Sequence, residues 1–491
     1  MKIKLKNYTH FSPKLERKDI PFILKYVKNP TNVVRHRFYP LIHYTIVEKK
    51  YKRLYDGSAK REFERTYKEK KREIYYSNHL DNQVYSYYGQ IINSKLEDQY
   101  RVDLTLNNSV IGYRKIAITE RRNKCNIDFA KEVFDFIQNS EFENTFVYCI
   151  DVSSFFDSLN HKILKQTWSK LFGDNSLPPD HYKVFRSVTQ FTHVEIGDLI
   201  TEFTELKIKK FKYLKNKKIK SFCKNGNEFR HRVENKNLIK FNTFLKESEG
   251  KRIKGIPQGL PISSTLSNLY MLEFDSIFSK LLEKYKGLYR RYSDDIIFAC
   301  SQENAFEIEE LINKYISKEL KLEIQSNKTQ IIHFHRNAED RRLSYKSFEN
   351  GIEINRPLSY LGFEFDGNKI LVKQKSLSKY YRRIKRLIRR KAIFAYFAKK
   401  SNSWNIEKKD EWIYRQGIYK SKSHLGSKKK KVNGKLYRGN FISYIFTSSR
   451  ILNQKTLKKQ VRNHWKIIEN LIAKYENKYS LPKTPSRRSK T

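Results

Sequence analysis

The stretch RRYSDDIIFAC, residues 290–300, constrains this chain more than any other. Asp294 and Asp295 are adjacent carboxylates set between two runs that favour burial. Ile296, Phe298 and Cys300 alternate with Ile297 and Ala299, the period-two pattern of a strand, and Tyr292 with its neighbours forms the strand leading in. The spacing predicts a tight turn carrying both acids between two buried strands. Like charges side by side repel, so such a pair is stabilised by cations or by basic groups brought to it.

A third acid gives the pair a use. In TFVYCIDVSSFFDSLNHKIL an apolar strand runs into Asp151 and then, through VSS, into a helical pattern. A strand-end Asp together with a hairpin Asp pair is the carboxylate set of two-metal phosphoryl transfer, in which two Mg²⁺ ions (or Mn²⁺) about 3.5–4 Å apart serve the attacking hydroxyl and the leaving pyrophosphate. An isolated Asp-Asp would be an ordinary turn. The third acid, on its own strand, is what lifts the pair above that reading.

Between the acid sites lies KGIPQGLPISSTLSNLYMLEFDSIF. Gly255, Pro257, Gly259 and Pro261 hold a turn and admit a close approach. Met271, Phe274, Phe278, Leu281 and Tyr285 then mark one face of a helix. A loop entering a helix between two acid-bearing strands is placed to line a nucleotide pocket.

These residues carry a resemblance. Asp151 followed by FF, GIPQGLPISSTLSN, YSDD, NKT at 327–329 and YLGFEFDG at 360–367 resemble, in order, the palm motifs of reverse transcriptases. SVIGYRKI and NIDFAKEVFDFI resemble finger segments of the bacterial enzymes. HRFYPLIHY, REIYYSNHLDNQVYSYYGQ and GNFISYIF resemble parts of the defence-associated and abortive-infection (antiphage) groups. The resemblance implies an α+β right-hand polymerase with fingers, a palm bearing an antiparallel sheet, and a helical thumb. It implies an RNA-directed DNA polymerase in the cytoplasm, working from an RNA template or noncoding RNA and dNTPs to a DNA product in antiphage defence, with homo-oligomerisation left open.

By the same resemblance Asp151, Asp294 and Asp295 are the metal ligands, Asp295 the least directly engaged. Phe156 stands at the steric-gate position, Gln258 with Gly259 contacts the incoming nucleotide, and Arg114 neutralises its triphosphate with forked donors suited to phosphate. Lys328 protonates pyrophosphate. Ser293 departs from the Ala or Val usual in this turn. Phe155 and Phe156 are equally readable as core, and Lys328 as a solvated strand-edge lysine. His79 and Asp81 are read as structural residues or nucleic-acid contacts, because no nucleophile context surrounds them, and His161 as a satisfied helix residue.

Charge agrees with a polyanionic partner. Lys and Arg number 101 against 52 Asp and Glu, a formal net charge of +49, far beyond the magnitude of about 2–8 that keeps a small domain soluble. The 33 Tyr and 32 Phe add stacking surfaces for bases. Cys125, Cys149, Cys223 and Cys300 are too scattered for zinc-ligand pairs, and no apolar window is long enough to span a membrane.

Composition along the chain predicts an N-terminal region over 1–105, with a helix through KREIYYSNHLDNQVYSYYGQIIN, packed on fingers and palm over 106–370. A Lys-rich insertion falls at 207–254. A basic helical thumb occupies 371–480 and a disordered tail 481–491. In the thumb Tyr381, Ile384, Leu387, Ile388 and Phe394 mark an apolar stripe, while Arg382, Arg383, Arg386, Arg389 and Arg390 face phosphate.

Four rivals are weighed. RNA-synthesising or template-independent polymerases share the palm, but Tyr292 and Phe156 disfavour RNA synthesis. A group II intron-type maturase would carry a His/Cys endonuclease segment. A non-catalytic RNA-binding protein would not need all three acids. A fused RNase H is disfavoured because residues 372–400 contain no acid and the remaining C-terminal stretch is too short for that domain.

Overall fold

The computed structural model describes residues 3–53, 65–120, 122–206, 214, 219–241, 253–337, 343–349, 351–400, 413, 415–426, 430–432, 435–437 and 439–479. The C-terminal tail, much of the Lys-rich insertion and parts of the GSKKKKVNGKLYRGN stretch lie outside them. The chain forms an α+β fold in two compact units: Met1–Arg114 with Cys149–Phe298 and Asn304–Thr329, and Lys115–Tyr148 with Ala299–Glu303 and Gln330–Thr491.

The first unit opens on a hairpin. Strand Leu41–Arg53 pairs antiparallel with Arg65–Tyr76, Ile42 lying opposite Tyr76 and Tyr44 opposite Ile74. Thr192–Glu195 joins in parallel beside Leu41, and Lys240–Phe241 forms the edge. The helix expected from residue 71 therefore starts later. Residues up to Tyr76 are strand, and helix His79–Val102 begins where the Asn78 side chain caps the His79 amide. Tyr and Ile serve either period; the partner strand decides. The helix buries Val84, Tyr88, Ile92, Leu96 and Tyr100 at near four-residue spacing. The described part of the insertion is no loose loop: Phe222, Cys223, Phe229 and Val233 share a core with Phe11, Ile42, Val194 and Phe203.

The same unit holds the acids themselves, Asp151, Asp294 and Asp295. Leu288–Tyr292 and Asp295–Ser301 form the expected hairpin around the Ser293-Asp294 turn, and Asn144–Asp151 lies next to Asp295–Ser301 in the sheet. Helix Leu272–Lys284 buries Leu282, Phe274, whose ring meets Tyr289, and Phe278, whose ring meets Phe298.

In the second unit, Gln330–Arg336 pairs antiparallel with Leu343–Glu349, which pairs with Ile352–Ile354. Leu358–Tyr360, Phe363–Phe365 and Ile370–Val372 make a meander in which YLGFEF forms the turn and second strand of its first hairpin. Helix Gln374–Lys400 carries the basic stretch. Its buried stripe runs through Leu377, Tyr380, Ile384, Ile388, Ala392 and Ala395; Phe394, expected on that stripe, is 75% exposed. A stripe advancing mostly by four residues from Ile388 reaches Ala392 and Ala395 and leaves position 394 outside. No helix among the described residues is long and apolar enough to cross a membrane, and the four cysteines are free.

Candidate active site

Asp151 ends an interior strand of the sheet whose preceding residues, Thr145 to Ile150, are all buried, which leaves the carboxylate at the strand's end. Its position is held from the backbone: the Gln325 amide donates to the Asp151 carbonyl at 2.9 Å, the Ser153 amide to Glu323 at 2.8 Å, and Val152 bridges Ile324. The chain then makes a 3-10 turn, Ser326–Lys328, that delivers the Lys328 ammonium to Asp151 Oδ1 at 2.5 Å. Asp151 thus has a cation against one oxygen.

The hairpin turn supplies the other acids. Ser293 takes a left-handed φ of +64° with its side chain buried, a conformation that tight hairpin turns demand of their central residues. Asp294 is half-buried and Asp295 exposed. The turn is braced by 110–114. The Ile111 and Gly112 amides donate to the Arg291 carbonyl at 3.0 and 3.2 Å, and the Ser293 hydroxyl donates to the Tyr113 phenol oxygen at 3.0 Å. A Cβ on Gly112 would lie 2.4 Å from the Ser293 amide nitrogen, so only glycine fits. Serine in place of Ala or Val has a partner here.

The loop between the acids in sequence is held from two sides. Gln258 offers its carbonyl to the Tyr75 amide at 2.8 Å, and Gly259, at φ +118°, would bring a Cβ to 2.4 Å from the Tyr75 carbonyl oxygen. Gln258 is half-buried and Gly259 exposed. Phe156 is half-buried and its carbonyl accepts from Ile256 at 2.8 Å, which ties the position beyond Asp151 to this loop; Phe155 is core. His161 accepts its structural reading, Nε2 lying 2.8 Å from the Gly255 carbonyl. Asp81 is buried against His36 Nε2 at 2.8 Å and the Tyr39 amide at 3.0 Å.

Arg114 is paired within the protein. Its side chain is only 4% exposed, and all five N–H donors are spent: Nε and Nη2 on Glu97, Nη1 on the Asn107 and Val110 carbonyls, Nη2 also on Asn107 Oδ1. The guanidinium also lies over the Tyr100 ring at 4.0 Å. In this arrangement the guanidinium braces the turn at 110–114, and a triphosphate would have to displace a bidentate carboxylate to reach it. The five arginines of the second unit's basic helix, Arg382, Arg383, Arg386, Arg389 and Arg390, are exposed.

Residues that sequence reasoning passed over support the site. Arg291 and Asp275 form a fully buried ion pair beneath the turn, signalled only by a charge at an inward position of a strand and another on the apolar face of a helix. Tyr75 holds the Gln258-Gly259 loop from a strand far away in sequence.

A strand-end carboxylate on the strand next to a carboxylate-bearing hairpin, with a glycine-bearing loop between them in sequence, on an α+β fold, is the arrangement of a nucleic-acid polymerase of the right-hand kind. The profile of the family described as reverse transcriptase (RNA-dependent DNA polymerase) matches residues 82–365. That is more than half of the chain, and the protein belongs to this family. No curated protein matches it by sequence. Among solved structures it is similar to an apo telomerase from Candida tropicalis truncated from the C-terminal domain, with 14% identity over 71% of this chain and a TM-score of 0.35. It is also similar to the apo telomerase from Candida tropicalis, with 11% identity over 93% of this chain and a TM-score of 0.35. A telomerase from Candida albicans in complex with a fragment of telomeric RNA gives 13% identity over 97% of this chain and 72% of its own length, with a TM-score of 0.35. The chain spans 57% and 65% of the first two.

Proposed function

We propose that this protein extends a primer with deoxynucleotides on an RNA template, with Asp151, Asp294 and Asp295 holding two Mg²⁺ ions. The observation that carries the reading is the placement of Asp151 at the end of a strand adjacent to the one that begins at Asp295. The donor set fits a hard divalent ion, being oxygen only, and one of its oxygens already faces a cation, the Lys328 ammonium. Bound metal supplies charge neutralisation at the attacking and leaving oxygens.

The chain's own groups do the rest. Gln258 and Gly259 line the base side of the nucleotide, Phe156 blocks a ribose 2′-oxygen, and Lys328 is close enough to the acids to deliver a proton to departing pyrophosphate. We assign 1–105 to an N-terminal region, 106–370 to fingers and palm, and 371–480 to a thumb whose exposed arginines hold the template-primer. The role in antiphage defence, in the cytoplasm and with a noncoding RNA, rests on the resemblance of the N-terminal segments.

The test is dNTP incorporation by purified protein on an RNA template with Mg²⁺. Asp151→Asn and Asp294→Asn are each expected to abolish incorporation while the circular dichroism spectrum stays that of wild type. Near-normal incorporation by either folded variant would sink the assignment. Loss of phage protection in cells carrying the same variants tests the defence role separately.

A further inference from the structure

We infer that His43, His193 and Glu195 form a second metal site, of the zinc class, on the N-terminal sheet of the first unit. His43 comes from strand Leu41–Arg53, and His193 and Glu195 from the strand paired with it in parallel, which sets His43 opposite Glu195 in register. One ligand atom from each of the three lies within 4.8 Å of the others. His43 Nδ1 is 2.7 Å and His193 Nε2 3.4 Å from Glu195 Oε1. Both histidines are 8% exposed.

The hydrogen-bond inventory asks for a cation. His43 has carboxylate oxygens against both ring nitrogens, Glu195 on Nδ1 and Glu73 on Nε2, each at 2.7 Å. A neutral imidazole has one N–H to give, so one carboxylate is left facing a lone pair. His193 has the complementary problem. Its Nδ1 is buried with no hydrogen-bond partner, and its Nε2 faces only an acceptor. In either neutral tautomer the ring's lone pair has no donor. A divalent ion takes up both lone pairs and balances the charges of Glu73 and Glu195.

Glu73 is what separates this group from a chance cluster. Metal-bound histidine commonly gives its other ring N–H to a carboxylate, which fixes the tautomer and the ring plane. Glu73 receives His43 Nε2 in that manner and is itself held by the Thr45 hydroxyl at 2.6 Å. Tyr75 stacks on His43 with ring centroids 4.5 Å apart and meets His193 edge-on at 5.6 Å, covering the site on the side of the Gln258 loop. Two imidazoles and one carboxylate leave a coordination position for water, and that N,N,O set suits Zn²⁺.

The experiment uses the full chain in an Asp151→Asn, Asp294→Asn, Asp295→Asn background, so that the acids proposed for catalysis contribute no metal binding. The protein is stripped with EDTA and titrated with Zn²⁺ by calorimetry, and retained metal is counted by mass spectrometry after gel filtration. One retained equivalent is expected, together with visible absorption of the Co²⁺ form. His43→Ala and His193→Ala should each lose the equivalent, and Glu73→Gln should weaken Zn²⁺ binding by roughly 10–100-fold. Absence of retained zinc in the parent overturns the proposal and leaves His43 as a hydrogen-bonded link between two carboxylates. Equal zinc binding by the folded variants also overturns it. Should either histidine variant fail to fold by circular dichroism, Glu73→Gln, at a side chain 30% exposed, decides the matter alone. None of these readouts depends on polymerase activity.

Discussion

The guanidinium of Arg291 grips the carboxylate of Asp275 through two parallel hydrogen bonds, Nε to Oδ1 at 2.7 Å and Nη2 to Oδ2 at 2.5 Å, and neither side chain has any exposed surface. The remaining donor, Nη1, reaches Asn268 Oδ1 and the Ser293 carbonyl, both at 3.2 Å. The Tyr289 hydroxyl donates to Asp275 at 2.5 Å, and burial beside that carboxylate raises the phenol's pKa well above its ordinary value. The pair therefore sits directly under the turn that carries Asp294. Removing one partner of a buried ion pair leaves the other charge without compensation, at a cost of about 3–5 kcal/mol. Asp275→Asn is expected to lower unfolding stability by about that much in urea titration. The double change Asp275→Leu with Arg291→Met should recover much of the loss. A loss under about 1 kcal/mol for the single variant would show that the pair is not what supports the hairpin.

Phe156 tests sugar selection. If its ring occupies the place of a ribose 2′-oxygen, the wrong sugar is rejected by overlap at close packing, without any charged group. Phe156→Ala should keep some deoxynucleotide incorporation and gain ribonucleotide incorporation. The discrimination ratio should fall at least about tenfold, or about 1.4 kcal/mol of differential transition-state binding. Single-nucleotide extension with each sugar measures it. An unmoved ratio would return Phe156 to the core, and a wild-type preference for ribonucleotides would favour an RNA polymerase.

The basic helix tests nucleic-acid contact. Arg383, Arg386 and Arg390 are exposed and spaced to share one face. Each phosphate contact adds about 0.9 to the slope of log K against log salt for duplex DNA, with a similar order for hybrids. Replacing the three by Gln should therefore flatten the slope by about 2–3 in a salt series of binding isotherms. An unchanged slope would mean that this face is merely solvated.

His10 makes stability depend on pH. Burial, with His79 nearby, lowers its pKa from 6.5 to about 3, and the structure shows why the proton is unwelcome. Nδ1 accepts from the Phe11 amide at 2.9 Å while Nε2 lies 3.2 Å from the Tyr76 carbonyl, so both nitrogens are satisfied only in the neutral ring. Between pH 6.5 and 3 the unfolded chain binds a proton at this residue that the folded chain does not, so stability falls as pH falls through that window. His79, lowered to about 4 by burial and by Lys14, adds in the same direction. Urea midpoints measured from pH 7 to pH 4 should decline, and His10→Gln should shallow the decline. An identical slope in the variant would rule His10 out as the source.

The sequence by itself determined the acids and their local settings. Period-two alternation around Asp294 and Asp295, the buried run ending at Asp151, the Gly-Pro punctuation near Gln258 and the YLGFEF hairpin are local signals, because strand pleat and turn sterics act over a few residues. The excess of positive charge was likewise a sum over the chain. Tertiary structure alone decided what each face lies against. Residues 71–76 carry Tyr and Ile at spacings that suit helix or strand, and the ladder to Leu41–Arg53 makes them strand. Arg114 looks free for phosphate until Glu97 and Asn107 take its donors. Asp275 and Arg291, or His43 with Glu195, are ordinary charged residues in the linear text. They become an ion pair and a metal-ligand set because folding removes the water between positions far apart in the chain, and desolvation makes each charge depend on its particular neighbour.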